Sequence, residues 1–449
     1  MIDTHTDVEE LEALVAEARA HHASDPEAGL EPLARALAMS VFASMSQSEP
    51  EDSLETVEAH AQEAVERLLE CLERAPERDL EALLGAVLHA HHLILMMTDR
   101  EAAALASARR VVAFFEAQSD AEPDYRRGQA LGLGALALLT AEDDADAARG
   151  LLQEAVALHE QLVEEDPLNL PALLEARVAL AQALEAADED EEALEALDGF
   201  VERALALVGD EAAFEGSPEL VAALGAGLQL KVGLELTFED NDQEALDSAL
   251  ALDALNVRAV ALDPSLLPLI LESATMVSDI YSALDRSEEA LARAEAAVQT
   301  YRDALAARPD DTSLQIALAQ SLGLLETSLS ELGRYDDAVA TLQEAIPIYR
   351  GLLDDGVEIP VEAMAAELND LGVALSVLER HEEALSASRE AVTLFGQLAI
   401  DDPEEHLPSL ADSLDNLSVD LAELGHFEDA FEAAHDAAQI FRSLLNADA

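Results

Sequence analysis

Large aromatic side chains and cysteines are scarce in this 449-residue chain, which has no Trp, 5 Tyr, 10 Phe and 1 Cys. The lone Cys71 excludes an intrachain disulfide and fits a reducing compartment. Lysine is nearly absent: Lys231 stands alone, and 24 basic residues face 95 acidic ones, for a formal net charge of -71. Nucleic acid and anionic membranes need the opposite sign, so neither is an expected partner. Apolar runs are also short. The stretches "LGLGALALL" (131–139) and "HLILMM" (92–97) fall well below the roughly eighteen residues that cross a bilayer. The acidic start "MIDTHTDVEELEA" has no basic segment followed by an apolar one, as a secretion signal would. A cytoplasmic location is the expectation.

Catalytic signatures are missing too. The chain has no Gly-rich phosphate loop ending in Gly-Lys-Ser/Thr, no HExxH, no GxSxG and no cysteine cluster. In "HAHH", His89 and His92 are spaced to share a helical face, and a metal could bridge them. Two histidines make an incomplete zinc site, and a structural role is the simpler reading. No enzymatic activity, cofactor or metal is expected.

What the sequence does contain is a repeat. The octet "LGRYDDAV" begins at 332, "LERHEEAL" at 378 and "LGHFEDAF" at 424, 46 residues apart each time. "LDRSEEAL" at 284, "EDNDQEAL" at 239 and "ADEDEEAL" at 187 extend it backwards, and looser versions near 141, 97, 47 and 4 bring the total to about ten copies. A proline marks each junction between octets: Pro26, Pro76, Pro123, Pro167, Pro218, Pro264, Pro309, Pro360 and Pro403. Asp precedes four of them, in Asp25-Pro26, Asp166-Pro167, Asp263-Pro264 and Asp402-Pro403. Asp caps helix N-termini and Pro is tolerated at the first helical position, so each such pair predicts a helix start.

Each copy therefore reads as two helices. Helix A runs from the proline junction to the octet, and helix B starts inside the octet and continues for about twenty residues. Ala338, Leu342, Ala345, Ile346 and Tyr349 form an apolar stripe at helical spacing, and Ala384, Leu385, Ser388, Ala391, Val392 and Phe395 match it one copy on. No stretch alternates with period two, so no β-structure is expected. Pro347, inside helix B of the eighth copy, predicts a kink or break. An all-α solenoid follows, with about ten antiparallel helix pairs stacked along residues 1–449 as one continuous domain. Residues 1–140 hold its divergent copies, 141–283 intermediate ones and 284–449 the clear ones. The step lengthens to about 52 residues near 209–241, where glycine concentrates, and this stretch is read either as a loop insertion or as a hinge.

The stretch "LNDLGVALSVLERHEEALSASREAV" (368–392) resembles the tetratricopeptide repeat family. Leu371-Gly372 looks like the Leu-Gly pair of that family's helix A, and Ala384 and Ala391 look like the two small residues of its helix B. These copies are longer than the family's usual unit and resemble its long-repeat variety, similar to kinesin light chain and to arrays attached to signalling NTPases and caspase-like proteases. The resemblance implies a right-handed superhelix whose concave groove is lined by helix A. It places Glu272, Thr275, Met276 and Asp279 of the seventh copy in that groove, with Gln320, Leu324 and Thr327 of the eighth. Asn369, Asp370 and Val373 follow from the ninth, and Asp412, Asp415, Asn416 and Val419 from the tenth. Where family members clamp an acidic chaperone tail with Lys, Arg and Asn, these positions carry mainly Asp, Gln and apolar residues, which argues against that role. A non-enzymatic scaffold for a basic or amphipathic protein or peptide is the expected function. The resemblance to effector-linked arrays implies an alternative, a regulatory or sensor subunit for a separate caspase-like protease or signalling NTPase.

Two readings of the acidity stay open, adaptation to high salt and attraction of basic partners. At the C-terminal edge, Phe427, Phe431, Ile440, Phe441, Leu444 and Leu445 supply more apolar surface than one neighbouring helix covers. Either this edge docks a partner, with a homodimer the simplest arrangement, or the last helix turns the set inward.

Overall fold

The computed structural model describes residues 8–45, 54–74, 101–116, 123–141, 144–238 and 241–447, together with residues 80, 83, 84, 87, 90 and 91. His89, His92 and the side chain of Leu445 lie outside the described residues. Among those described there are helices and turns but no strand. No described helix is long and apolar enough to cross a membrane.

The octet proves to be a helix C-cap and the next helix's start in one. Its second residue takes the left-handed conformation in five copies: Asp188 (φ 59°), Asp285 (55°), Gly333 (68°), Glu379 (60°) and Gly425 (80°). The following N–H then donates to the carbonyl five residues back, from Glu189 to Leu184, Arg286 to Tyr281, Arg334 to Leu329, Arg380 to Leu375 and His426 to Leu421, at 2.8–2.9 Å. That bond satisfies a carbonyl the last turn of helix A would leave open. Acids in the first turn of helix B oppose the positive end of the helix dipole. Arg286, Arg334 and Arg380 pair with the acids three residues on, Glu289, Asp337 and Glu383.

Only glycine enters the left-handed region without steric cost, so Glu379 is strained where Gly333 and Gly425 are not. Glu379→Gly is expected to raise stability by up to about 1 kcal/mol, read as a higher denaturant midpoint at unchanged slope. A lower midpoint would show that Glu379 makes a compensating contact.

The chain forms two compact units, Met1–Leu234 and Glu235–Ala449. Each is an α-solenoid in which successive antiparallel helices pack on their sequence neighbours. The boundary falls within the 209–241 stretch, which itself holds the helices Glu211–Glu215 and Pro218–Glu235. The first unit has a core that includes Leu33, Leu37, Leu68, Leu72 and Phe115. In the second, the core runs through Ile270, Tyr301, Leu322, Ile346, Tyr349 and Leu368.

In the second unit the pairs of the last four copies are regular. Helices A and B are Pro268–Ala283 and Ser287–Ala307 in the seventh, Thr312–Glu331 and Tyr335–Asp354 in the eighth. They are Val361–Val377 and His381–Asp401 in the ninth, Pro403–Glu423 and Phe427–Ala447 in the tenth.

Three sequence expectations need correction. Helix B of the eighth copy is not broken at Pro347 but runs on to Asp354. Pro347 and Gln343, whose carbonyl loses its partner, are both exposed, so water can take over that bond. Leu342, Ala345, Ile346 and Tyr349 meanwhile hold the helix to the core. Of the Asp-Pro pairs, only Asp402-Pro403 opens an α-helix directly, with the Asp402 side chain accepting from the Glu405 N–H. Asp166-Pro167 and Asp263-Pro264 open short 3-10 turns instead, and Asp25-Pro26 opens a turn ahead of the helix at Leu30. In the fifth copy helix B is two pieces, Asp190–Ala196 and Phe200–Val208. The first piece is capped at Leu197, and Gly199, in the left-handed conformation at φ 77°, opens the second, whose first residue Phe200 is fully buried.

Candidate functional site

Each helix A of the second unit buries one face and leaves the other open. The buried faces carry Ile270, Ala274 and Val277 in the seventh copy, Leu318 and Leu322 in the eighth, Met364, Leu368 and Leu375 in the ninth, and Ala411, Leu417 and Leu421 in the tenth. The four A-helices touch in succession, so their open sides adjoin.

None of the fourteen groove residues assigned from the resemblance is buried. Glu272, Thr275, Asp279, Thr327, Val373, Asp412, Asp415 and Val419 are exposed, and Met276, Gln320, Leu324, Asn369, Asp370 and Asn416 are half-buried. Two hydrogen bonds tie neighbouring A-helices together. Ser282 Oγ donates to Glu331 Oε2 at 2.7 Å between the seventh and eighth copies, and Asn416 Nδ2 donates to Asn369 Oδ1 at 3.1 Å between the ninth and tenth. Although Asp279 is exposed as a residue, partial burial raises the pKa of its carboxyl, with Glu331 adding like charge.

Beneath this face lie acids that sequence reasoning missed. Glu326 and Glu367 are buried in the eighth and ninth copies, next to half-buried Asp370. Ser330 Oγ donates to Glu326 Oε1 at 2.6 Å, whereas Glu367 Oε2 has no hydrogen-bond partner. Gly323 leaves room for this carboxylate, since a Cβ there would stand 3.1 Å from Glu367 Oε1. Burial pushes Glu326 up to about 7 and Glu367 up to about 8, and the negative neighbours add to both. The signal was available: each Glu interrupts an apolar stripe, between Leu322 and Leu329 and between Met364 and Leu368. Among the described residues no group of three or more His, Cys, Asp or Glu could hold a metal ion.

These buried acids predict a pH dependence with a definite sign. A carboxyl whose pKa rises on folding favours the fold while protonated, so its contribution is full below its ordinary pKa near 4.5 and fades as pH climbs through about 7 to 8. Glu367→Gln should therefore match the wild type near pH 5 and exceed it by about 2 kcal/mol at pH 8.5 in chemical denaturation. An equal offset at both pH values would contradict the assignment.

A pocket of about 290 Å³ opens between helix A of the ninth copy and helix A of the tenth. Val373 and Val377 line it from the ninth copy, and Asn416, Val419 and Asp420 from the tenth. Of these, Val373, Asn416 and Val419 were assigned from the family pattern; Val377 and Asp420 were not. Gly372 lies behind it, where a Cβ would come 2.5 Å from Ser388 Oγ. The Leu-Gly pair thus works through packing: glycine lets helix B of the ninth copy approach closely.

At the C-terminal edge, helix B of the tenth copy turns Ala430, Ala433 and Ala437 towards its own repeat. Phe427, Phe431 and Phe441 are 72%, 70% and 38% exposed, while Ile440 and Leu444 are half-buried. The phenylalanines are therefore not turned inward. The repeat positions of Phe427 and Phe431 are Tyr335 and Val339 in the eighth copy, which pack against Leu371, Ala374 and Leu375 of the next helix A and against Leu378 at its C-cap.

The family model described as tetratricopeptide repeat matches residues 410–448, which take in the latter two thirds of helix A and all of helix B of the tenth copy. The tetratricopeptide resemblance read from the sequence holds there. Among solved structures, the chain is similar to BtubC (BKLC) from P. vanneervenii, at 15% identity and TM-score 0.34, covering 66% of this chain and 91% of that one. It is also similar to a Signal Transduction ATPase with Numerous Domains carrying a tetratricopeptide repeat sensor, from Pyrococcus horikoshii, at 15% identity and TM-score 0.44, covering 86% of this chain and 54% of that one. A Rap protein complexed with Competence and Sporulation Factor aligns at 14% identity and TM-score 0.35, over 98% and 99% of the two chains. No curated protein matches the sequence.

Proposed function

We propose that this protein is a non-enzymatic interaction scaffold that binds a basic or amphipathic peptide along the open face of its A-helices. The observation that carries this reading is the mixture on that face. Exposed Val373, Val377 and Val419 stand among exposed or half-buried Asp370, Asp412 and Asp415. Apolar side chains of a peptide find desolvated contacts there, and its cations find carboxylates in a chain whose net charge of -71 steers positive partners in. Selection of displayed random peptides on the immobilised full chain tests it. Enriched sequences should carry net positive charge with apolar residues between, and Val373→Asp should abolish their capture. Enrichment of acidic peptides, or capture unaffected by Val373→Asp, would refute the groove.

The exposure of Phe427 and Phe431 supports a second contact, a homodimer through the C-terminal edge, because two large apolar side chains one helical turn apart on one face stand in water. Both side chains project from the fold, so Phe427→Glu with Phe431→Glu should leave the melting temperature nearly unchanged. Light scattering should then show the wild type at twice the mass of the variant. A monomeric wild type at tens of micromolar would rule the dimer out.

A further inference from the structure

The pocket between the A-helices of the ninth and tenth copies has walls and a floor of different chemistry. Val373, Val377 and Val419 are 38%, 52% and 49% exposed, so three apolar side chains meet water around one opening. Asp420 also lines the pocket and is 1% exposed. Its Oδ2 accepts from Ser388 Oγ at 2.7 Å, but its Oδ1 is buried without a hydrogen-bond partner. Burial raises the Asp420 carboxyl above its ordinary value, and Ser388, Ser376 and His381 favour the charge only in part, while no donor closes a hydrogen bond to Oδ1. A carboxyl held away from water with an open acceptor is costly to ionise unless a donor, preferably a cation, reaches it. Arg380, at the turn beside the pocket, is engaged with Glu383.

We propose that this pocket is a subsite for a single lysine or arginine side chain of the bound peptide, with the aliphatic stem between the three valines and the cation at Asp420. The proposal rests on the groove reading above and sharpens it to one position. A long basic side chain is the group that suits both halves, since its methylenes cover apolar surface while its head seeks charge. A neutral donor would satisfy Oδ1 but leave the carboxylate's charge unmatched, and an acidic side chain would meet Asp420 and the exposed Asp412 and Asp415. Ser388 holds the carboxylate in place, and Gly372 gives Ser388 its room. Gly372 and Ser388 are thus positioning residues for this subsite.

The test uses the full chain and peptides recovered by display, each synthesised with its basic residues replaced one at a time by norleucine. Affinity is read by fluorescence anisotropy in 0.15 M KCl. For one Lys or Arg position, norleucine should weaken binding to the wild type at least about tenfold, and Asp420→Asn should weaken the parent peptide by a similar factor. Combined, the two changes should cost no more than either alone, the signature of a direct pair. Val377→Trp, made on an exposed position, should block the same peptides and supplies the readout if Asp420→Asn melts the fold. Additive losses, or parent peptides that bind Asp420→Asn as well as wild type, overturn the subsite while leaving the groove reading standing. Failure of display to yield any peptide sensitive to Val373→Asp removes the groove, and the subsite with it.

Discussion

Raising KCl from 0.1 to 2 M is expected to raise the melting temperature of both units steeply. The chain carries 95 acids against 24 bases, so its folded surfaces repel themselves. Salt shortens the screening length from about 10 Å at 0.1 M to about 3 Å at 1 M, which removes repulsion between carboxylates more than a turn apart. The same salt weakens attractive pairs such as Arg302 with Glu344 at 2.8 Å and Arg350 with Glu390 at 2.6 Å. Those pairs are exposed and contribute at most about 1 kcal/mol each, so the repulsive sum decides the sign. Relief of even about 3 kcal/mol in a unit of this size corresponds to roughly 6–12 °C. Differential scanning calorimetry across the salt range checks this. A flat curve would remove the high-salt reading of the acidity and leave attraction of basic partners as its explanation.

The largest effect of a single substitution is expected at Arg293. Its guanidinium grips Asp253 with two nitrogens, at 2.5 and 2.9 Å, and Ser273 Oγ adds a donor at 2.7 Å. The pair joins helix B of the sixth copy to helix B of the seventh, and its side chains are only 12% and 14% exposed. Removing one partner of such a pair strands a largely buried charge, so Arg293→Met should cost about 3 kcal/mol. Adding Asp253→Leu should recover most of that loss, because the cost lies in the stranded carboxylate and not in the missing attraction. Urea denaturation of the two variants reads both numbers. A double variant no better than Arg293→Met would mean that the bidentate pair itself supplies the stability.

The repeat was legible because its determinants are local. A residue able to turn left-handed, acids at a helix start and an Ala-Leu stripe fall within one octet and its helix, and backbone rules act over the same few residues. The fifth copy departs because Gly199 permits a turn that the octet pattern does not announce. The pocket was half legible. Val373, Asn416 and Val419 follow from their place in the repeat, but Asp420 needs knowledge that Ser388, 32 residues earlier, meets it in space. Glu326 and Glu367 were read past for the same reason: a Glu in an apolar stripe is noticeable locally, but its burial depends on how the A-helices of adjacent copies close over it. The break expected at Pro347 does not occur. The cost of a proline in a helix depends on whether the freed carbonyl can reach water, and the exposure of Gln343 is a property of the packing.

Hydrogen exchange of the full chain, with and without a display-selected basic peptide, tests the binding face most directly. Protection on Pro268–Ala283, Thr312–Glu331, Val361–Val377 and Pro403–Glu423, with the intervening B-helices unchanged, is the predicted pattern. Protection confined to the B-helices or to the first unit would contradict the account.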